Sequence, residues 1–151
     1  MNEKFESMIK LIDELTNTLV KLSDMQRQIV MAVREDDLAK LADCMKHEQV
    51  LSLTLRNTEQ KRLKLQEELG LEEMKLSELP LKVKDADMQI KVRNAASKLS
   101  AQYKIVRSTS DAACSILESN LRRVEQTMKK MGVDPSQVQA STAGIHTDFH
   151  A

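Results

Sequence analysis

Glycine and proline, the residues that most often interrupt helices, are scarce in this chain. They occupy five positions, Gly70, Pro80, Gly132, Pro135 and Gly144. Strands and tight turns need such residues often, so the two stretches without them, residues 2–69 and 81–131, favour long helices. The sequence therefore predicts an all-α protein, with few loops to form pockets and long helical surfaces to present to partners.

The first helix is predicted over residues 2–33, where apolar residues recur in steps of three and four. This heptad pattern continues for about four heptads and is interrupted only at Gln26. The helix is roughly 45–50 Å long and needs a partner of similar length to cover its apolar face. A short charged break at residues 34–37 leads into a second helix over residues 37–69, so we expect an antiparallel hairpin.

The second helix has a less regular apolar row, which changes phase near residues 47–49. Its first part contains Leu38, Leu41 and Met45, and its second part contains Leu51, Leu55, Thr58, Arg62, Leu65 and Leu69. Such a phase shift is typical of a stutter or of a change in packing partner. Asp36 or Asp37 is expected to cap the N-terminus of this helix, and Gly70 to end it.

A third helical region is predicted over residues 82–131, after a connector at residues 71–81 with one helical turn at residues 76–79. At roughly 75 Å it is longer than the hairpin, so it either extends beyond the hairpin or bends. Three poor helix formers, residues 108–110, mark the place for a bend. We thus predict an all-α, coiled-coil-like bundle of a long antiparallel hairpin and a third long helix, forming one domain over residues 1–132.

Residues 133–151 are small and polar without a regular period, and we expect a flexible C-terminal tail. His146 and His150 lie four residues apart, a spacing that brings two imidazoles to one face of a helix. Because this segment is a weak helix former and Asp148 is its only other nearby ligand type, we interpret both histidines as solvated and predict no metal site.

Charge and hydropathy limit the classes of partner. Acidic and basic residues balance at 23 each, and aromatic residues make up only 2 %. Nucleic-acid binding favours a basic surplus or aromatic stacking residues, and neither pattern is visible. The longest apolar run, residues 29–33, is far shorter than the about 20 residues that span a membrane, and the N-terminus has no secretory pattern. We expect a cytoplasmic protein that does not bind nucleic acid and does not insert into a membrane.

Patterns of catalytic or cofactor-binding residues are not evident: the sequence has no glycine-rich phosphate loop, nucleophile elbow or paired-cysteine zinc spacing. Cys44 and Cys114 lie on different predicted helices, and we expect buried thiols. Charged pairs at helical spacing, among them Glu6–Lys10, Glu59–Arg62 and Glu118–Arg122, are interpreted as solvated ion pairs. We predict a protein that is not an enzyme and carries no cofactor.

The end of the third region carries an apolar stripe with helical spacing, called here the distal stripe. It consists of Ala113, Leu117, Leu121, Val124, Met128 and Met131. Flexible thioethers suit a surface that accepts another helix without strict complementarity. Two interpretations stay open, packing on the protein's own first helix and binding of a foreign helix. We predict the distal stripe as a partner-binding site.

Several short motifs in order along residues 11–131 resemble those of the FlgN-like flagellar export chaperones. They are Asp36-Asp37-Leu38 with Leu41, Gln60-Lys61-Arg62-Leu63, Leu69-Gly70-Leu71, Lys75-Leu76-Ser77-Glu78-Leu79 and Ile116-Leu117. The resemblance implies a cytosolic all-helical chaperone that escorts hook-filament junction proteins before secretion. It also implies that the late helix, with Leu117, Leu121, Val124, Met128 and Met131, binds amphipathic C-terminal helices of those clients. The alternative is a coiled-coil scaffold or adaptor, for instance a homodimer.

Overall fold

The structure is a computed structural model that describes residues 2–132, and helices account for nearly all of that range. Three long helices, α1 (Asn2–Arg34), α2 (Leu38–Glu68) and α3 (Ala86–Lys130), are joined by a tight turn and by a connector with a short 3-10 helix (Leu76–Lys82). No strand occurs between residues 2 and 132. The predicted all-α bundle is confirmed, with helix boundaries within a few residues of those expected.

Capping residues explain where α2 begins and ends. Asp37 caps its N-terminus, because the Asp37 carboxylate accepts a hydrogen bond of 3.0 Å from the backbone N–H of Lys40. After α2, Gly70 takes a left-handed conformation with φ +73°, and the N–H of Leu71 returns to the carbonyl of Gln66. This geometry satisfies carbonyls at the end of the helix and confirms Gly70 as the stop.

Helix α1 packs against both α2 and α3, and α1 and α3 together contribute most of the core. The side chains of Met8, Ile12, Leu15, Leu19, Leu22 and Ile29 are almost completely inaccessible. Helix α2 returns antiparallel to α1 after the tight turn, whereas α3 runs parallel to α1. The parallel direction is evident from hydrogen bonds that pair Ser23 with Gln102 and Gln26 with Thr109.

Helix α3 continues without a break through residues 108–110, the place where a bend was expected. Residues 108–110 all lie within α3, so these three poor helix formers do not interrupt it. Helix α3 ends at Lys130, and Gly132 follows with φ +77°. Its 45 residues make it about 68 Å long, against about 50 Å for the 33 residues of α1.

The buried row of α2 is largely polar and agrees only in part with the predicted row, with which it shares Leu55, Thr58 and Arg62. It consists of Cys44, Glu48, Leu55, Thr58, Arg62 and Gln66. Leu38, expected in the row, is 74 % exposed, and Leu41, Leu51 and Leu65 are only half-buried. A search for apolar periodicity cannot find Glu48 or Gln66, because both are polar side chains placed where a core residue is expected.

Gln66 ties α2 to the connector that follows it. Its amide nitrogen donates to the carbonyls of Leu71 and Met74 at 2.6 and 2.7 Å, and its amide oxygen accepts from Arg62. Arg62 in turn pairs with Glu59 through two nitrogens of its guanidinium group, a fork geometry that makes strong ion pairs. The other two charged pairs predicted above, Glu6–Lys10 and Glu118–Arg122, are not within ion-pair distance.

The same group of side chains joins α2 to α3 through Tyr103, which is buried. Burial raises the pKa of Tyr103 to about 12, and the nearby Glu59 carboxylate, a hydrogen-bond partner of the phenol, acts in the same direction. The end of the bundle that holds the connector is therefore fixed by buried polar contacts between α2, α3 and the residues after α2.

Replacing Gln66 by alanine tests this interpretation. Gln66→Ala removes the donor to Leu71 and Met74 and leaves Arg62 without one of its partners, so we expect a loss of about 2 kcal/mol in the free energy of unfolding. Urea denaturation followed by circular dichroism measures this loss. The control Gln60→Ala, at an exposed position of the same helix, is expected to change stability by less than about 0.5 kcal/mol.

Candidate protein-docking surface

The distal stripe is buried at its start and largely exposed at the end of α3. Ala113 is fully buried and Leu117 is 8 % exposed, whereas Val124 is 37 % and Met131 72 % exposed. Leu121 and Met128 are half-buried. The first two residues therefore pack within the bundle, and the last four form an apolar surface that no other part of the described chain covers completely.

The distal stripe continues the face of α3 that packs on α1. Counting about 100° per residue, its six residues fall within about 80° of one another around the helix axis. The buried residues Met88, Val92, Leu99, Tyr103 and Val106, earlier in α3, fall in the same sector. The apolar face of α3 therefore keeps its direction along the whole helix. Its last residues are exposed because α1 and α2 end before α3 does.

The part of α3 that packs against the hairpin ends near the turn between α1 and α2. A shallow notch near this turn is lined on one side by Val33, Arg34 and Asp36 and on the other by Ile116, Ser119, Asn120 and Arg123 of α3. Helix α1 therefore ends beside residues 116–123, and the part of α3 beyond them extends past the hairpin. From residue 121 to residue 130 this protruding part is about 15 Å long.

The apolar core is divided into two clusters, and the smaller one lies next to the protruding part of α3. It contains the buried side chains of Ile29, Val33, Cys44, Ala113 and Leu117. Only three of these five are large aliphatic residues, whereas the main cluster contains seventeen buried residues. Because hydrophobic stabilisation scales with buried apolar area, this end of the bundle contributes the smaller share.

Buried polar side chains lie between the two clusters. Gln26 of α1 is fully buried and accepts a hydrogen bond from Thr109 of α3, and nearby Ser23 accepts one from Gln102. Helix α2 contributes Glu48, which is 2 % exposed. The break in the heptad pattern at Gln26 thus marks a polar layer to which all three helices contribute.

The carboxyl group of Glu48 is in an unfavourable environment. Burial raises the pKa of Glu48, and the nearby Gln26 side chain opposes that rise only in part. Glu48 Oε1 and Gln26 Nε2 are buried, and although the two side chains lie close enough for Gln26 to act on the carboxyl group, neither atom makes a hydrogen bond of good geometry within the described residues. A buried polar atom without a partner costs free energy, so the polar layer weakens the junction between the two clusters.

The cysteines occupy the smaller cluster and its edge. Cys44 is buried and Cys114 half-buried, and neither forms a disulfide. Desolvation raises the pKa of each thiol, and acidic neighbours, Glu118 among them for Cys114, act in the same direction. A raised pKa disfavours the reactive thiolate. The prediction of buried thiols is thus confirmed for Cys44 and only partly for Cys114.

No cluster of three or more His, Cys, Asp or Glu side chains that would hold a metal ion occurs within residues 2–132. The two histidines considered in the sequence analysis, His146 and His150, lie outside the described residues, as does the predicted tail over residues 133–151.

A second groove lies at mid-length of α3, beside the 3-10 helix. It is lined by small residues, among them Ser97, Ser100 and Ala101, and by the exposed side chains of Leu81 and Ile105. This groove does not continue a face that the bundle buries elsewhere. In the distal stripe, the face of α3 that packs on α1 continues beyond the end of α1. The distal stripe is therefore the stronger candidate for binding another protein.

Comparisons with family models, with curated proteins and with solved structures returned no match. The resemblance to the FlgN-like chaperones accordingly stays a prediction from short motifs. Among the helices of the described range, none contains an apolar stretch long enough to cross a bilayer.

Glu48→Gln tests the energetic role of the polar layer. Because the pKa of Glu48 is raised in the folded protein, its ionisation destabilises the fold as pH rises above the unfolded-state value of 4.5. We expect Glu48→Gln to stabilise the protein at pH 7 by about 1 kcal/mol, and the gain to shrink toward pH 4. Urea denaturation at several pH values measures both effects. Equal stability of variant and wild type at pH 7 would contradict this account, and Glu14→Gln, at an exposed position of α1, is the control.

Proposed function

We propose that this protein is a cytosolic export chaperone that binds the amphipathic C-terminal helices of flagellar hook-filament junction proteins. In this proposal the protruding end of α3 is the binding site, and a client helix covers Leu121, Val124, Met128 and Met131. Binding hides apolar surface through which the client would otherwise self-associate, and so keeps it soluble before secretion. The chaperone acts by burial alone and catalyses no reaction.

The observation that carries this proposal is the continuation of the α1-packing face of α3 beyond the end of α1. Exposure on this one face rises from 8 % at Leu117 to 72 % at Met131. Burying each large aliphatic side chain yields about 1.5–3 kcal/mol, which favours an occupant that supplies the missing cover. Apolar anchors in steps of three and four are the pattern that an amphipathic helix recognises.

The shape of the site favours the end of a helix as the occupant. A helix lying along the protruding part of α3 takes the place that α1 and α2 would fill if they were longer. The end of this client helix that lies nearest the bundle meets the α1–α2 turn, with Arg34 and Asp36. The client helix therefore cannot continue further along α3 in that direction. A client helix that stops at this point satisfies the geometry, and terminal helices meet that requirement directly.

Introducing two aspartates into the distal stripe tests whether the client helix binds there. We expect Leu121→Asp combined with Met128→Asp to reduce binding of a junction protein's C-terminal helical segment by at least about a hundredfold, because two apolar contacts are replaced by desolvated charges. Isothermal titration calorimetry with the purified segment measures the affinity. Circular dichroism is expected to show nearly unchanged helicity, since both positions are only half-buried.

Leu53→Asp combined with Leu63→Asp is the matched control, because both leucines are exposed on α2, away from the distal stripe. This variant carries the same change in charge and should bind the client as the wild type does. Binding of the Leu121→Asp, Met128→Asp variant within threefold of wild type would show that the client uses a different surface.

A further inference from the structure

The groove at mid-length of α3 lies between the 3-10 helix and a stretch of small residues of α3, and its volume is about 740 Å³. Ligand-binding clefts usually have volumes of about 300–1,000 Å³. The 3-10 helix is fixed in place, because Leu76 and Leu79 are buried in the main cluster and Gln89 donates a hydrogen bond of 3.0 Å to the carbonyl of Pro80. The groove is therefore formed in the folded chain without a partner.

Apolar side chains at the groove are accessible to another molecule. Leu81 is 71 % exposed and Ile105 is 41 % exposed, and both line the groove. The small residues of the lining leave room for a side chain of a partner. Covering Leu81 and Ile105 removes apolar surface from water, which favours a partner with an apolar side chain of its own.

Both charged residues that line the groove are basic, Arg93 and Lys104. Their separation on α3 is about 16–17 Å along the helix axis and about 20° around it. Both side chains are exposed, and neither belongs to an ion pair within residues 2–132. The two positive charges are therefore available to a partner.

Basic residues predominate along this part of α3. Between residues 88 and 110 the helix has no acidic residue and five basic ones, all exposed: Lys91, Arg93, Lys98, Lys104 and Arg107. Counting about 100° per residue, Arg107 lies within about 80° of Ser97 in the groove lining, whereas Lys91 and Lys98 lie about 100–120° away. Helices α1 and α2 contribute no residue to the lining. This local surplus is hidden in the balanced composition of the whole chain.

The acidic residues near the groove in sequence do not neutralise it. Glu78 of the 3-10 helix uses its carboxylate to accept a hydrogen bond of 3.2 Å from a backbone N–H at the start of that helix. Asp87 precedes Arg93 on α3 and Asp111 follows Lys104, each at about 9 Å or more along the helix axis. The groove thus presents positive charge beside its apolar side chains.

We propose that this groove is a second docking site and that its occupant is a short acidic segment of a partner protein, with carboxylates about 15–20 Å apart on either side of an apolar side chain. The carboxylates pair with Arg93 and Lys104, and the apolar side chain contacts Leu81 and Ile105. Complementary charge selects such a segment over neutral and basic ones, because like charges in contact are disfavoured. The site does not depend on the proposed function of the distal stripe.

A protein segment suits this groove better than a nucleic acid does. Single-stranded nucleic acids are bound through aromatic side chains that stack on the bases. Within residues 2–132 the aromatic residues are Phe5 and Tyr103, and both are buried. The apolar side chains exposed at the groove are aliphatic and suit the side chains of a protein.

The groove and the distal stripe can be occupied together. From Ile105 to Leu121 the distance along the α3 axis is about 24 Å. Counting about 100° per residue, the distal stripe is centred about 160° from Ser97 around the helix, so the two surfaces face nearly opposite directions. A protein bound at one of them therefore does not obstruct the other.

Three probes test the occupant against the full-length protein. The first is an eight-residue peptide with two glutamates at each end and leucine, valine and two serines between them, so that its inner glutamates lie about 16 Å apart when it is extended. The second has glutamine in place of glutamate, and the third is an eight-nucleotide oligothymidylate. Fluorescence anisotropy at low salt should show the acidic peptide binding about fivefold or more tightly than the glutamine peptide, and more tightly than the oligonucleotide. Raising the salt to about 0.5 M should remove most of the difference between the peptides.

A pair of variants with equal changes in net charge locates the site. Arg93→Glu with Lys104→Glu should weaken binding of the acidic peptide about tenfold or more, because its carboxylates then meet like charges. Lys10→Glu with Lys21→Glu changes the net charge equally at exposed positions of α1 and should leave the affinity within about twofold of wild type.

A third variant tests the groove without a change of charge. Ser97→Trp places a large side chain in the groove at an exposed position and should weaken binding of the acidic peptide about fivefold or more. Asn57→Trp, at an exposed position of α2, is its control and should bind the peptide as the wild type does.

The outcomes separate this inference from the proposed function. Equal affinity for the two peptides, failure of the acidic peptide to bind, or unchanged binding by the Arg93→Glu, Lys104→Glu variant would overturn the inference. Tighter binding of the oligonucleotide would identify a nucleic acid as the occupant and overturn it too. The Leu121→Asp, Met128→Asp variant should bind the acidic peptide as the wild type does. Loss of binding in that variant would place the peptide on the distal stripe and contradict a second site.

Discussion

The length of α1 is the constraint on which the architecture depends. Helix α1 packs against both neighbours, and its fully buried side chains, such as Ile12, Leu19 and Leu22, form the centre of the core. Where α1 ends, at Arg34, the cover for α3 ends too. Helix α3 has 45 residues and α1 has 33, and the apolar face of α3 continues beyond the point where α1 ends. The exposed stripe is thus a consequence of unequal helix lengths within an otherwise regular bundle.

The two ends of the bundle are held together by different means. At the connector end, Gln66, Arg62 and Glu59 satisfy one another and the backbone after α2, and the main apolar cluster lies alongside them. At the other end, five buried residues form a small cluster beyond a polar layer with unpaired atoms at Gln26 and Glu48. Regions with few buried apolar contacts open most readily. The docking surface therefore adjoins the less strongly stabilised end of the protein.

Much of the fold could be predicted from the sequence because helix boundaries depend on local chemistry. Gly70 and Gly132 end helices through their left-handed backbone, and Asp37 caps α2, all readable from single residues. The burial of Glu48 and Gln66 in α2 could not be predicted, because Glu48 lies beside Gln26 of another helix and Gln66 binds backbone carbonyls of the connector, and neither contact follows from apolar spacing. The members of the distal stripe were predicted from their spacing, whereas its division into a buried and an exposed part depends on where α1 ends.

The polar layer also determines how α3 is positioned along α1. Moving α3 by one helical turn, about 5.4 Å, would separate Thr109 from Gln26 and place an aliphatic side chain against the amide. Buried polar pairs are known to fix the alignment of packed helices in this way, at some expense in stability. This alignment also determines how many helical turns of α3 extend beyond the end of the hairpin. The contact between Gln26 and Thr109 thus sets the length of the exposed end of α3, although it lies more than two helical turns away from that end.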